Sequence, residues 1–176
     1  MSKKQNNSLL SFLIGFGIYQ ILSSQKTKGI AGIGAVSNKP IKVNTVWDDV
    51  DISKLKGLAK EFYKNNITGK SVINIDKQIT VNFSMNGFRH FLFYHKKISA
   101  DLFKAVLVLD KMVSHAKFKN FGAPKPKDGK DVQGYLIFEV KVNTGKNINV
   151  YQIMVKASTS GKYYYHHAIN IKSSGQ

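Results

Sequence analysis

One arginine stands among the 27 basic side chains of this sequence, and it sits directly beside a histidine. The segment is NGFRHFLFYHKK, residues 86–97, in which Arg89 precedes His90, and His95, Lys96 and Lys97 follow. A planar guanidinium addresses two oxygens of one phosphate at once, a geometry that an ammonium lacks. Imidazole, with an ordinary pKa near 6.5, gives or takes a proton at neutral pH. Those two groups suit attack of a ribose 2′-OH on its own phosphodiester, a reaction needing base, acid and cations around the phosphorane oxygens. Two further groups lie late in the chain: Glu139, its last side-chain carboxylate, and His166, after a run of three tyrosines.

Other clusters carry simpler readings. Asp48, Asp49 and Asp51 precede a helical pattern and read as first-turn or capping charges, not as a metal cluster. His115 falls within a helix that its other residues explain, and His167 alternates toward the core. The absence of cysteine excludes disulfides, thiolate zinc sites and cysteine nucleophiles. No phosphate-binding loop, dinucleotide fingerprint or Ser-His-Asp pattern occurs.

The net charge of +17 points to an anionic partner, a nucleic acid or a membrane surface. It is spread along the chain: residues 1–44 hold six lysines and no acid, and five lysines follow Glu139 with no further carboxylate. With 43% hydrophobic and 11% aromatic residues, the chain has the material for a packed core.

Stepping along the chain, SLLSFLIGFGIYQILSS (residues 8–24) is uncharged and flanked by Lys3–Lys4 and Lys26–Lys28. It reaches the lower length limit for a bilayer span. A membrane anchor, a secretory signal and an arm that docks on protein are all open readings. GIAGIGAVSNKP then reads as linker, so residues 1–43 are expected to be arm and linker and residues 44–176 a basic domain.

Within that domain Ser53 is expected to cap a helix reaching Asn66. Residues 69–84 read as a hairpin turning at Asp76–Lys77, and His90 to Tyr94 as a short strand. Ser99 caps a second helix with Leu102, Phe103, Val106, Leu109, Met112 and Val113 on its apolar face. Residues 116–131 read as a basic loop. Three strands close the chain, over VQGYLIFEVKV, INVYQIMVK and YYYHHAINIK. Alternation puts Leu136, Phe138, Val140, Val142, Tyr151, Ile153, Val155, Tyr163, Tyr165, Ile169 and Ile171 inward. It leaves Glu139, Lys141, Gln152, Lys156, Tyr164, His166, Asn170 and Lys172 on an open face suited to nucleic acid. The expected class is α+β: two N-terminal-side helices packed on one face of an antiparallel sheet of four to five strands, with a separate hydrophobic arm.

The ITVNFSMNGFRH segment before a helix, the hairpin ending in VYQIMVKAS and the terminal GKYYYHHAI together resemble the barnase–EndoU–colicin E5/D–RelE nuclease fold. The likeness spans roughly residues 50–172 and is nearest to phage large polyvalent protein-associated domains. It implies RNA cleavage with neither metal nor cofactor. By that resemblance His90 matches the histidine before the second helix, and Ser158, Thr159 and His166 the polar residues of the last strands. Glu139 could take the place of a carboxylate base, a role left open between it and a histidine. Lys96, Lys97, Lys141, Lys156, Tyr164 and Lys172 would bind the nucleic acid. Partners implied are RNA or another nucleic acid, and an immunity or antitoxin protein; a membrane or protein would meet residues 8–24. The alternative is a virion- or membrane-associated binding protein of the same fold without catalysis.

Overall fold

The structure is a computed structural model that describes residues 38–43, 47–93, 99–145 and 147–175. The hydrophobic segment 8–24, His95, Lys96 and Lys97 lie outside the described residues, as does the side chain of Lys172. Strand β1 (Ile41–Lys42) leads to helix α1 (Ile52–Asn66), a hairpin of β2 (Ser71–Asn74) and β3 (Ile79–Asn82), and helix α2 (Met85–Phe93). A third helical run follows as α3 (Ala100–Ala105), a 3-10 turn (Val106–Val108) and α4 (Leu109–His115). Strands β4 (Lys117–Gly122), β5 (Val132–Asn143), β6 (Asn147–Ser158) and β7 (Tyr163–Gly175) complete the described chain.

All seven strands belong to one curled sheet of order β1-β5-β6-β7-β3-β2, with β4 also paired to β5. Two pairings, β1 with β5 and β3 with β7, are parallel. The sheet is therefore mixed, carries three helical runs and has more strands than the expected antiparallel sheet of four to five with two helices. Alternation marks strands but does not say which become neighbours, so nothing local announces that β7 slots between β6 and β3.

Three local differences have identifiable causes. The short apolar run after Arg89 is helical, since Phe88 and Phe91 are buried three residues apart on one side of α2. Short apolar runs satisfy helix and strand periods equally. The basic segment after residue 115 contains β4, whose Phe118 packs edge-on against Phe138 at 5.7 Å. In β7 the pairing skips one residue at His166, between Tyr165↔Val155 and His167↔Met154, and again at Ile171. Each skip shifts the alternation, so Ala168 is buried where Ile169 was expected, and Ile171 is 47% exposed.

Tyr163, also expected inward, is only half-buried, whereas the remaining inward assignments stand. Leu136, Phe138, Val140, Val142, Tyr151, Ile153, Val155 and Tyr165 are all buried. Tyr63 of α1 stacks near Phe88 at 5.0 Å, and Phe83 near Tyr165 at 5.3 Å, so α1, α2 and β7 share one core.

Ser99 accepts from the Leu102 N–H, as its position promised. At α1, however, the cap is Asp51, whose carboxylate accepts the Ser53 N–H at 2.7 Å. Asp48, for its part, pairs with the buried Lys104. Asp51→Ala should therefore lower the urea midpoint of the domain, whereas Ser53→Ala should change it little. Equal losses in urea titrations of the two variants would contradict this capping scheme.

Candidate functional site

The bulge in β7 determines the site. A strand forced to accommodate one extra residue bends and re-aims that residue's side chain. His166 is that residue, and its ring stacks on His90 of α2 with centroids 4.3 Å apart and planes 16° from parallel. Gly87, one helical turn before His90, lets α2 approach β7 closely enough for this contact. A Cβ there would lie 2.6 Å from Tyr165 Cδ1 and 2.8 Å from the Tyr165 carbonyl oxygen.

The imidazole of His166 is enclosed on other sides too. Tyr135 of β5 meets it edge-to-face at 5.2 Å, and His167, itself buried, at 4.7 Å. The two Nδ1 atoms of His166 and His167 lie within hydrogen-bond distance, so one ring carries its proton there and donates it. Tyr135 donates its hydroxyl to Asp128 at 2.9 Å, and Asp128 accepts the Lys125 N–H at 2.6 Å. Lys125 Nζ lies 5.9 Å from the Tyr135 ring centroid, bringing the β4–β5 loop over the histidines.

Register extends the site across the sheet. Tyr135, Lys156 and Tyr164 sit abreast on β5, β6 and β7. Lys156 Nζ lies 5.7 Å over the Tyr164 ring and 3.4 Å from Asp131 Oδ2. Thr159 donates its N–H to the Asp131 carbonyl at 2.8 Å, tying the β6–β7 turn to the β4–β5 loop.

The electrostatics follow from this crowding. Partial burial, then the neighbouring His90, Lys125 and Lys156, hold the His166 imidazole down to about 4, with Asp128 opposing them. The N–H of Lys125 is the main reason that the Asp128 carboxyl titrates below the ordinary carboxylate range. Since folding keeps His166 neutral, unfolded chains take up that proton first on acidification. The group's contribution to stability therefore falls as pH drops from about 6.5 to about 4, and is constant below that window. NMR titration of His166 should give a midpoint near 4, raised in Lys125→Met and Lys156→Met. A midpoint near 6.5 in the wild type would contradict the packing described here.

The residues singled out from the sequence separate into groups. His90, His166, Lys156 and Tyr164 gather. Arg89 is exposed on the helix that carries His90. Ser158 is buried, its Oγ accepting the Ser160 N–H at 3.3 Å, and Thr159 is exposed beside it. Glu139 and Lys141 lie elsewhere: Glu139 is four residues along β5 from Tyr135, roughly 13 Å at strand spacing, and pairs with Lys119 at 3.0 Å. Lys125, Asp128 and Tyr135 were not foreseen. The turn signal in KPKDG was legible, but only tertiary pairing reveals what that loop covers.

The fold and this cluster define a basic, mixed-sheet domain with a histidine pair at a strand bulge. The chain belongs to the large polyvalent protein-associated domain 3 family, whose profile matches residues 51–165, a span that includes His90 but ends one residue before His166. That membership bears out the phage-associated side of the resemblance drawn from the sequence. No curated protein and no solved structure matches the chain.

Proposed function

We propose that the domain binds RNA at the histidine pair and cleaves it without a metal ion. The observation that carries this reading is the stacking of His90 on His166, two imidazoles brought from distant parts of the chain to 4.3 Å. At that separation ring nitrogens of both residues can reach one phosphodiester. His166, neutral at physiological pH, accepts the proton of the 2′-OH as the 2′-oxygen–phosphorus bond forms. His90 donates a proton to the 5′-oxygen as the phosphorus–oxygen bond to it breaks. The products are a 2′,3′-cyclic phosphate and a 5′-hydroxyl.

An imidazole held near 4 is a weak base in the empty site. A bound phosphate offsets the positive field of Lys125 and Lys156 and raises its basicity, so substrate binding itself readies the base. Arg89, one residue before His90, supplies the guanidinium for the phosphorane oxygens, and Tyr164 a platform for a base.

Glu139 favours a second reading. Its ion pair with Lys119 and its separation from the histidines leave the centre without the carboxylate that the resemblance offered as one of two candidates for the base. That arrangement suits a nucleic-acid-binding module without catalysis. The deciding experiment incubates the 176-residue protein with single-stranded RNA in EDTA and identifies the product ends. Cyclic phosphate ends support catalysis. Salt-sensitive binding without cleavage supports the module, because counterion release marks phosphate contact in either case.

A further inference from the structure

A second site lies at the far end of β5, where that strand has two partners on one edge. Strand β6 occupies the other edge throughout its length. On the remaining edge β4 pairs only as far as Lys117↔Glu139, and β1 begins at Ile41↔Val142. Neither strand covers Val140 and Lys141, and the interval opens into a cleft of about 490 Å³. That volume lies within the range of small-ligand sites, generally about 300 to 1,000 Å³.

Its lining has two distinct parts. Pro40, Ile41 and Val150 supply apolar surface, and Lys39, Lys117, Lys119 and Lys141 converge from two strands, β4 and β5, and the segment before β1. Glu139 is the one carboxylate of this lining, and Lys119 is its partner. Lys117 donates to the neutral amide oxygen of Asn38 and has no ion pair among the described residues. Lys141 is exposed and has no ion pair among the described residues. A concavity lined by one sign of charge concentrates counterions of the other.

We propose that this cleft binds a phosphorylated nucleoside, with phosphate held by Lys117 and Lys141 and the base laid on the apolar lining. A bare inorganic anion would use the ammoniums but not Pro40, Ile41 and Val150. An uncharged lipid or apolar peptide would use the apolar lining but leave the lysines unanswered. The exposed part of the Glu139 carboxylate accepts N–H groups from the base, which favours a base with two adjacent donors, as guanine has at N1–H and the 2-amino group. The ligand is either a free nucleotide or one residue of a strand. Since the cleft lies about 13 Å along β5 from the Tyr135 row, it does not depend on the histidine pair catalysing anything.

The test is a titration of the ¹⁵N-labelled full chain, followed through backbone amides, with three probes. They are guanosine 5′-monophosphate, inorganic phosphate and a short guanine-containing DNA strand. The monophosphate should saturably shift the amides of Lys119, Val140, Lys141 and Val150 more tightly than phosphate does. Lys117→Gln and Lys141→Gln, both changes at exposed positions, should weaken it at least tenfold. Glu139→Gln should weaken the monophosphate without weakening phosphate. If the strand shifts the same amides at lower concentration, the ligand is a residue of a strand; if not, it is the free nucleotide. Phosphate matching the monophosphate, shifts spread evenly over lysine-bearing segments, or none at millimolar concentration would each overturn the proposal. His90→Ala should leave this binding unchanged, so loss of the cleavage reading and loss of this one are distinguishable.

Discussion

His166→Ala and His90→Ala should each lower the single-turnover rate of RNA cleavage in EDTA by on the order of 10²-fold or more. If the two imidazoles act on one phosphodiester, the double variant should lose less than the product of the single losses. Arg89→Lys keeps the charge but surrenders the two-pronged geometry, and a comparable loss is expected if the guanidinium meets the phosphorane. His166 is only partly buried, so His166→Asn serves as a packing control that retains a polar side chain in the bulge. Melting temperatures of these variants should stay within a few degrees of the wild type. Undiminished cleavage by His166→Ala, in a protein that cleaves at all, would remove the catalytic role from the pair. The remaining function would then be binding by the basic face of the sheet.

Gly87→Ala should do damage of another kind. Its new methyl group would sit 2.8 Å from a backbone oxygen of β7, which cannot move without dragging the strand. Overpacking of this sort commonly costs about 1 to 3 kcal/mol, and here both partners are structural elements rather than flexible side-chain ends. Helix α2 must back away from Tyr165, taking His90 with it. Stability and cleavage should therefore fall together, unlike the histidine variants, in which cleavage alone falls. A Gly87→Ala protein that melts and cleaves like the wild type would show that α2 does not sit where it is described.

Much of this architecture was legible because local chemistry decided it. The apolar stripe from Leu102 to Val113, the Ser99 cap and the Asp76–Lys77 turn depend on neighbours within a few positions. So do the inward faces of β5 and β6. Legibility ended where distant segments competed. The run FRHFLF fits a strand or a helix by period, and Phe88 and Phe91 settle it by packing on Tyr63 and its neighbours. The bulge at His166 arises from pairing with β6, so alternation carried past it exchanged the faces of Ile169 and Ala168. His90 and His166 were singled out by type, whereas their stacking is a tertiary fact. Lys125 and Asp128 escaped notice because a charged, proline-containing loop looks alike whether it faces solvent or roofs a site.

The place of β7 in the sheet has a consequence for how the molecule comes into being. Strands β2 and β3 form one ladder, and β1, β4, β5 and β6 another. No pairing joins them until β7 enters between β6 and β3. Its parallel partner Asn82 lies about 80 residues upstream of Tyr164, a closure of the kind that makes folding slow. On the ribosome, then, β3 lacks its β7 partner while residues up to the β6–β7 turn emerge. His90 has no imidazole to stack on during that interval. The strand that completes the sheet is also the one that delivers His166 to His90.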